Sequence, residues 1–518
     1  MNKPRQLPWA LLAVVCAVPP PAQLVAQTAA AAVSNATIPA LFLSDIHFDP
    51  LRDPGKAARL NAAPISQWAA ILASPATPTA DADYAAINKT CPIRPLVDPN
   101  DQLWQSALTA IHAQAFAPGS PIRFAVLTGD IVGHQFDCRH KILFPDATPA
   151  QFRSFVKKTA TYVVTSLRAA LPGIPIYIAL GNDDTGCHDN SLDPGNDAFL
   201  AFAARLIAQT LPAADRAAAL RDFPRGYYAA SLPAPLTNIR IFVLDNVYEM
   251  ASYRNCEARY APTAQNAQLT WLNDQLDQVR ARHQQAWVVA HTPPSVNAYS
   301  TFNSQIYGLR IDVCHGGTPI DFLSSDELAR VLAGHGDVVR LALFGHSHTD
   351  EMRLLTPDLG LPDLTVATIS GPYQAPASNA SDAGVAAKII PSISPVFAEL
   401  PSFTLAQIDP HTATLMDYSV ILASNSTGIG TTWAKSYSFS EAYHLPAFTP
   451  ATLAPLIAGM QADRTADTPA SKTYMREYRR YFFNDGSPPL QSVWPQLACA
   501  MSNISDAAFT HCACTAAE

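Results

Sequence analysis

The sequence predicts an α/β protein built on a layered sheet, and two observations carry that expectation. Short apolar runs ending in polar or glycine-containing turns recur along the chain, and helical patterns alternate with them. The runs read as buried strands at 39–43, 122–127, 174–180, 239–244, 286–290 and 341–344. Helical patterns fall at 103–116, 152–170, 198–209 and 265–282. From 364 to 421 the chain turns to successive strands without long helices, as at 403–408 and 414–419, which extend the sheet or form a second one. From about Trp433 it reads helical and aromatic, with Tyr474, Tyr478, Tyr481, Phe482 and Phe483 clustered as the core of a smaller unit. There is no internal repeat.

A chain of 518 residues exceeds the usual span of one domain, about 100–200 residues, so one large domain and a smaller one are expected. The boundaries read as 1–30 for a secretory signal peptide, 36–425 for a catalytic domain and 430–518 for a helical, disulfide-containing C-terminal domain. The signal reading rests on the basic start at Lys3 and Arg5, a short apolar run from Trp9, and a small-residue exit near Ala26. That run is too short to span a bilayer, so the mature protein is expected in the secreted or periplasmic space. Cysteine usage agrees. Cys16 lies in the signal, and eight remain: Cys91, Cys138, Cys187, Cys256, Cys314, Cys499, Cys512 and Cys514. An even set in an exported chain suggests disulfides, and the paired spacings of a zinc ribbon are missing. Asn-x-Ser/Thr triplets begin at Asn35, Asn88, Asn379, Asn425 and Asn503. With 34 basic and 42 acidic residues and a net charge of -8, the chain offers no broad basic field for nucleic acid or anionic lipid. No nucleic-acid-binding module and no partner protein is implied. Membrane contact is left open, since no amphipathic basic helix stands out.

Five short motifs follow five of the predicted strands: Ser44-Asp45-Ile46-His47, Thr128-Gly129-Asp130, Leu180-Gly181-Asn182-Asp183-Asp184, Ala290-His291-Thr292 and Phe344-Gly345-His346-Ser347-His348. A lone Gly-Asp is ordinarily a turn and a lone Asp-x-His a loop pair. Five together, each after a strand, are hard to obtain by chance. Open α/β sheets place ligands beyond the carboxyl ends of their strands, where residues far apart in sequence converge. The mixture of imidazole nitrogen with Asp and Asn oxygen suits two divalent metal ions, zinc favoured and manganese or iron also compatible.

The order Asp-x-His, Gly-Asp, Gly-Asn-x-Asp, His, Gly-His-x-His resembles the calcineurin-like metallophosphoesterase superfamily. Within it the chain looks like the acid sphingomyelinase and sphingomyelinase-like phosphodiesterase branch, with some similarity to endopolyphosphatases. The narrower resemblance is carried by Gly129-Asp130-Ile131-Val132-Gly133-His134, Gln268-Leu269-Thr270-Trp271-Leu272, His346 to Glu351, Pro391-Ser392-Ile393-Ser394-Pro395 and Pro401-Ser402-Phe403. It implies a metallophosphoesterase sandwich of two mixed β-sheets flanked by helices. One metal would be held by Asp45, His47, Asp130 and His348, and the other by Asp130, Asn182, His291 and His346. It implies a Cys256–Cys314 disulfide by position and Cys499–Cys512 by spacing in the C-terminal region, leaving Cys91 with Cys138 and Cys187 with Cys514.

The implied activity is hydrolysis of a phosphate ester by hydroxide attack, because two cations lower the pKa of a shared water. The family places His directly after the Asn of its Gly-Asn-His motif, whereas this chain has Asp183. An Asp beside two cations is expected to stay ionised, which leaves His134 as the candidate for protonating the leaving group. His188 and Asp189 line the pocket or belong to a solvated loop. A phosphodiesterase of the sphingomyelinase-like type is favoured. The alternatives are a phosphomonoesterase or polyphosphatase and, from another class, an inactive homologue that only binds, against which the intact set of seven ligand types argues.

Overall fold

Central strands with helices on their faces are buried on both sides and therefore read as continuous apolar runs. The computed structural model, which describes residues 37–93, 97–193, 198–302, 311–359, 384–480 and 493–515, places such strands where the runs lie. In chain order they are β1 (Ile38–Leu43), β2 (Phe124–Leu127), β3 (Ile176–Ile178), β4 (Tyr227–Ser231), β5 (Ile239–Leu244), β6 (Gln285–Val289), β7 (Val339–Phe344), β8 (Glu351–Leu355), β9 (Val385–Ile389), β10 (Ser402–Ile408), β11 (Leu415–Ala423) and β12 (Trp433–Ser438).

These strands form two six-stranded sheets, with orders β12-β11-β10-β1-β2-β3 and β4-β5-β6-β7-β9-β8. Both are mixed. In the first, β1, β2 and β3 run parallel while β10, β11 and β12 are antiparallel additions. In the second, β5, β6, β7 and β9 run parallel between the antiparallel edges β4 and β8. Aromatic side chains close the space between the sheets. Trp287 of β6 meets Phe42 and Phe124 edge-on at 6.0 and 5.7 Å, and its indole N–H donates to Ala413 O at 2.9 Å. The arrangement is the two-sheet sandwich that the resemblance implied.

Helices form at the expected places, with starts set by local chemistry. Asp101–Ala115 is capped by Asn100, whose side chain accepts from Leu103 N–H, and Pro149–Ala170 opens on a Thr148/Gln151 capping box. The region after 430 departs from the expectation at its beginning: 433–438 is not helical but pairs with β11 as β12. Helices follow at Pro450–Ala462, Pro469–Arg480, Trp494–Ala500 and Asp506–Cys514, and the buried Tyr474 and Tyr478 join the continuous apolar core. Tyr481, Phe482 and Phe483, the signal region and the stretch 364–383 lie outside the described residues. No helix among the described residues is long and apolar enough to cross a membrane.

Cys91–Cys138 and Cys499–Cys512 pair as expected. The other two expected pairings do not form: Cys256 bonds Cys187 rather than Cys314, and Cys314 bonds Cys514. The physical reason is proximity. Arg254 N–H donates to Asn190 O at 3.2 Å, which brings the Cys187 and Cys256 Cα atoms to 5.7 Å. The short helix Val313–His315 packs on Asp506–Cys514, leaving Cys314 and Cys514 at 5.4 Å.

Candidate metal centre

Each of the seven residues singled out in the sequence follows the carboxyl end of a parallel strand. The first sheet supplies Asp45 and His47 after β1, Asp130 after β2 and Asn182 after β3; the second supplies His291 after β6 and His346 and His348 after β7. All are buried except His346, which is half-buried. Five of them hold left-handed backbone, with φ of 47° at Asp45, 44° at His47, 53° at Asp130, 71° at His346 and 63° at His348. Such conformations cost about 1–3 kcal/mol each outside glycine, and their concentration here points to function. Small neighbours make room. A Cβ on Gly345 would overlap the Ser44 hydroxyl and the Asp45 carboxylate, and one on Gly181 would overlap the Asp130 carboxylate.

The structure brings all seven together. Asp130 Oδ2 lies 3.0 Å from His291 Nε2 and 3.3 Å from His47 Nε2. Asp45 Oδ1 is 3.6 Å from His348 Nε2 and 3.8 Å from His47 Nε2. The imidazoles also face one another. His47 Nε2 and His348 Nε2 are 3.1 Å apart, and His291 Nε2 is 3.2 Å from both His346 Nδ1 and Asn182 Oδ1.

Those contacts decide what the cluster can hold. His47 Nδ1 lies 3.1 Å from Val132 O and His291 Nδ1 2.9 Å from Thr128 O; a carbonyl can only accept, so each ring carries its proton on Nδ1. His348 Nδ1 likewise faces Glu399 Oε1 at 2.8 Å. In the neutral rings the Nε2 atoms turned inward are then bare lone pairs, buried and facing each other. A cation between them removes that repulsion, so the donor set fits divalent metal ions of the kind that take mixed nitrogen and oxygen ligands. Two overlapping groups, Asp45/His47/Asp130 and Asp130/His291/His346, each bring one ligand atom per residue within 4.8 Å of the others, with Asp130 common to both.

The electrostatics agree. Burial alone would raise Asp45, yet His348, His47 and His291 pull its carboxyl down to about 2. Asp130 is driven lower still, against its burial, by His291 and His47. Burial and His291 push His346 down to about 3, keeping it neutral. His291, against burial, is pushed up to about 9 by Asp130, so near neutral pH its Nε2 holds a proton against that carboxylate, and a cation bound there would take that proton's place.

His134 stacks on His47 with ring centroids 3.7 Å apart. Its Nδ1 is 3.0 Å from Asp98 Oδ1, its backbone N–H donates to Asp98 Oδ2 at 2.7 Å, and Asp98 raises its pKa against burial. His134 Nε2 faces Asp183 Oδ2 at 3.8 Å. Burial, then Asp189 and Asp130, push the Asp183 carboxyl well above the usual range; cations held at Asp130 would oppose that shift. Asp189 thus faces Asp183, while His188 is exposed and pairs with Asp137 at 2.9 Å.

Of four supporting residues, Asp184 appeared in the sequence only as the last Asp of the Gly-Asn-x-Asp motif, without a role, and the other three were not found from sequence. Asp184 accepts from the N–H groups of Ile131 at 2.8 Å, Val132 at 3.1 Å and Gly181 at 3.0 Å, tying the loops after β2 and β3 together. Asn246 accepts from His291 N–H at 3.1 Å and Thr292 N–H at 3.0 Å. Asp98 and Glu399 back His134 and His348 from irregular segments with no periodic signal. Phe397, 38% exposed, stands at the edge with its ring centroid 4.7 Å from that of His348 and 5.7 Å from that of His134.

No protein-family model matches the chain. It is 24% identical over 206 residues to a sphingomyelinase phosphodiesterase C of Dictyostelium discoideum, covering 40% of each chain. It is 24% identical over 426 residues to an acid sphingomyelinase-like phosphodiesterase 3b of Homo sapiens, covering 80% of each. The match to the Dictyostelium relative thus spans only two-fifths of that protein's length. Among solved structures it is similar to a dimetal phosphatase of Danio rerio, with TM-score 0.38 and 12% identity, over 78% of this chain and 100% of that one. The chain is similar to acid sphingomyelinase-like phosphodiesterases, as the motif order anticipated.

Proposed function

We propose that the protein is an exported, metal-dependent phosphate-ester hydrolase, a phosphodiesterase of the sphingomyelinase-like type. The observation that carries this reading is the convergence of buried imidazole lone pairs and carboxylates, at 3.0–3.3 Å, at the carboxyl ends of both sheets. Asp45, His47, Asp130 and His348 would hold one cation, and Asp130, Asn182, His291 and His346 the other. When bound, the cations supply Lewis acidity, activating water and neutralising phosphoryl charge. Zinc is favoured by the ligand mixture, with manganese or iron compatible.

The remaining steps belong to the chain. Asp98 fixes the His134 ring by holding its Nδ1–H, and the same carboxylate favours a proton on Nε2 for the departing oxygen. Phe397 offers a partly exposed aromatic face beside that position for the body of the leaving group. Four disulfides suit an oxidising compartment, which supports the export reading.

The test is a metal-replete turnover panel of bis-nitrophenyl phosphate, nitrophenyl phosphate, sphingomyelin, ATP and polyphosphate, with Asp130→Asn as control. Hydrolysis of the diesters, abolished in the variant, is expected. No turnover of any substrate, or equal activity in the variant, sinks the enzyme reading. The Asp183 substitution favours a second reading, a phosphomonoesterase or polyphosphatase, and preference for those substrates would put it first.

A further inference from the structure

Four imidazoles converge on the centre, but they are not backed alike. His47 and His291 turn Nδ1 to main-chain carbonyls, at 3.1 Å from Val132 O and 2.9 Å from Thr128 O. His346 faces the cluster through Nδ1 itself. The two imidazoles of the Asp45 half also meet carboxylates: His47 Nδ1 lies 3.4 Å from Asp183 Oδ2, and His348 Nδ1, with no main-chain carbonyl partner among the described residues, lies closer to Glu399 Oε1 at 2.8 Å, with the Glu399 and His348 side chains 1% and 2% exposed.

Glu399 is delivered by the segment after β9, which contains the Pro391-Ser392-Ile393-Ser394-Pro395 motif. The left-handed backbone at Ala398, φ 72°, turns the chain just before Glu399. Ser392 Oγ donates to Glu399 Oε1 at 3.3 Å, and Ser392 N–H donates to His348 O at 3.3 Å. Ile393 and Ser394 N–H groups donate to Ser44 O at 3.2 Å and Asp45 O at 2.9 Å. The segment is thus fastened to the Asp45 and His348 side of the centre. That side has Asp45, the shared Asp130, Asp183 beside His47 and Glu399 behind His348. Among the described residues the other has the shared Asp130, 3.0 Å from His291 Nε2, with Asp45 more distant at 3.9 Å, since Asn182, His291 and His346 themselves bring no fixed negative charge.

We propose that Glu399 is a positioning residue that makes the two halves of the centre unequal, holding His348 with its Nε2 lone pair inward so that the Asp45/His47/His348 half takes up its cation first. The inference rests on the dimetal reading above. A carboxylate behind a ligating imidazole fixes its tautomer and raises its basicity, and loss of such a partner typically weakens metal binding about 10–100-fold.

The experiment is calorimetric titration of the chelator-stripped full chain with Zn²⁺. Two resolved steps are expected for the wild type. Glu399→Gln, nearly isosteric, weakens the tighter step about 10–100-fold and leaves the weaker one in place. Glu399→Asp, which keeps the charge, recovers part of the loss and covers the case that the Gln variant folds poorly. Asn182→Ala removes the weaker step, and the tighter step remains sensitive to Glu399→Gln in the double variant. Two wild-type steps of equal affinity, unchanged constants in Glu399→Gln, or equal losses in both steps overturn the role of Glu399 while leaving the dimetal reading standing. Failure of the wild type to take up any cation overturns that reading, and this inference with it.

Discussion

The proton of His134 is placed by Asp98, whose two oxygens are used in turn on the ring Nδ1 and the backbone N–H of the same residue. Ser394 Oγ donates to the same Asp98 Oδ1 at 3.1 Å, so the carboxylate is held before any substrate arrives. The ring then stacks on His47 and can move little. General acids contribute about 10²–10⁴-fold, and most where the leaving oxygen is basic. His134→Ala should therefore lower kcat by about that factor for alkyl phosphodiesters and much less for nitrophenyl esters, whose leaving group needs no proton. Parallel kinetics on the two ester classes check this; equal losses would remove His134 from the acid role and return attention to Asp183.

At the scale of the element, the C-terminal helix Asp506–Cys514 meets the segment that carries Phe322 against the ring of His346, at 5.4 Å between centroids. Asp321, beside Phe322, faces Asp506 and Asp326, and Asp326 in turn faces Arg330 and Glu327. Burial, then Asp506, push the Asp321 carboxyl up to about 8. A raised folded-state pKa means stabilisation that is complete below the ordinary value of 3.8 and is lost as pH rises through about 8. Melting temperature should fall across that window, and Asp506→Asn, which can donate to Asp321, should flatten the fall. A pH profile unchanged by the substitution would show that this contact does not govern the docking of the helix. The same elements show what sequence can carry. The strands that end in ligands were legible because each is a continuous apolar run closed by small or polar residues. β8 was not, because Glu351 and Arg353 are buried as a 2.6 Å pair inside the strand and erase its apolar signal. β12 hid behind exposed Ala434 and Lys435 at a sheet edge. Asp98 and Glu399 were invisible because their meaning lies in ring nitrogens far away in sequence, and the two mispaired disulfides failed for the same reason.

For the whole molecule, the decisive fact is that neither sheet holds the centre alone. The first brings Asp45, His47, Asp130 and Asn182, and the second His291, His346 and His348; Thr128 O of one sheet faces the His291 ring of the other, and His346 N–H donates to Asp45 Oδ1 at 3.1 Å. Separating the sheets scatters the donors, so cation affinity is also affinity for the packed state. A ligand that binds only the folded chain stabilises it by about 2.7 kcal/mol at one hundred times its Kd, and by about 1.4 kcal/mol more per further decade. With an unfolding entropy of about 2.1 cal/mol/K per residue, a chain of this size gains roughly 3 °C per cation at the hundredfold point. Melting temperature should therefore climb with the logarithm of free Zn²⁺, fall on chelation, and climb at a shallower slope in Asn182→Ala, where one half of the centre is impaired. In Asp130→Ala, which removes the carboxylate common to both sets of donors, the dependence should nearly vanish. A melting temperature indifferent to chelator in the wild type would mean that the sheets are held without the cations, and that the convergence of lone pairs serves some end other than metal binding.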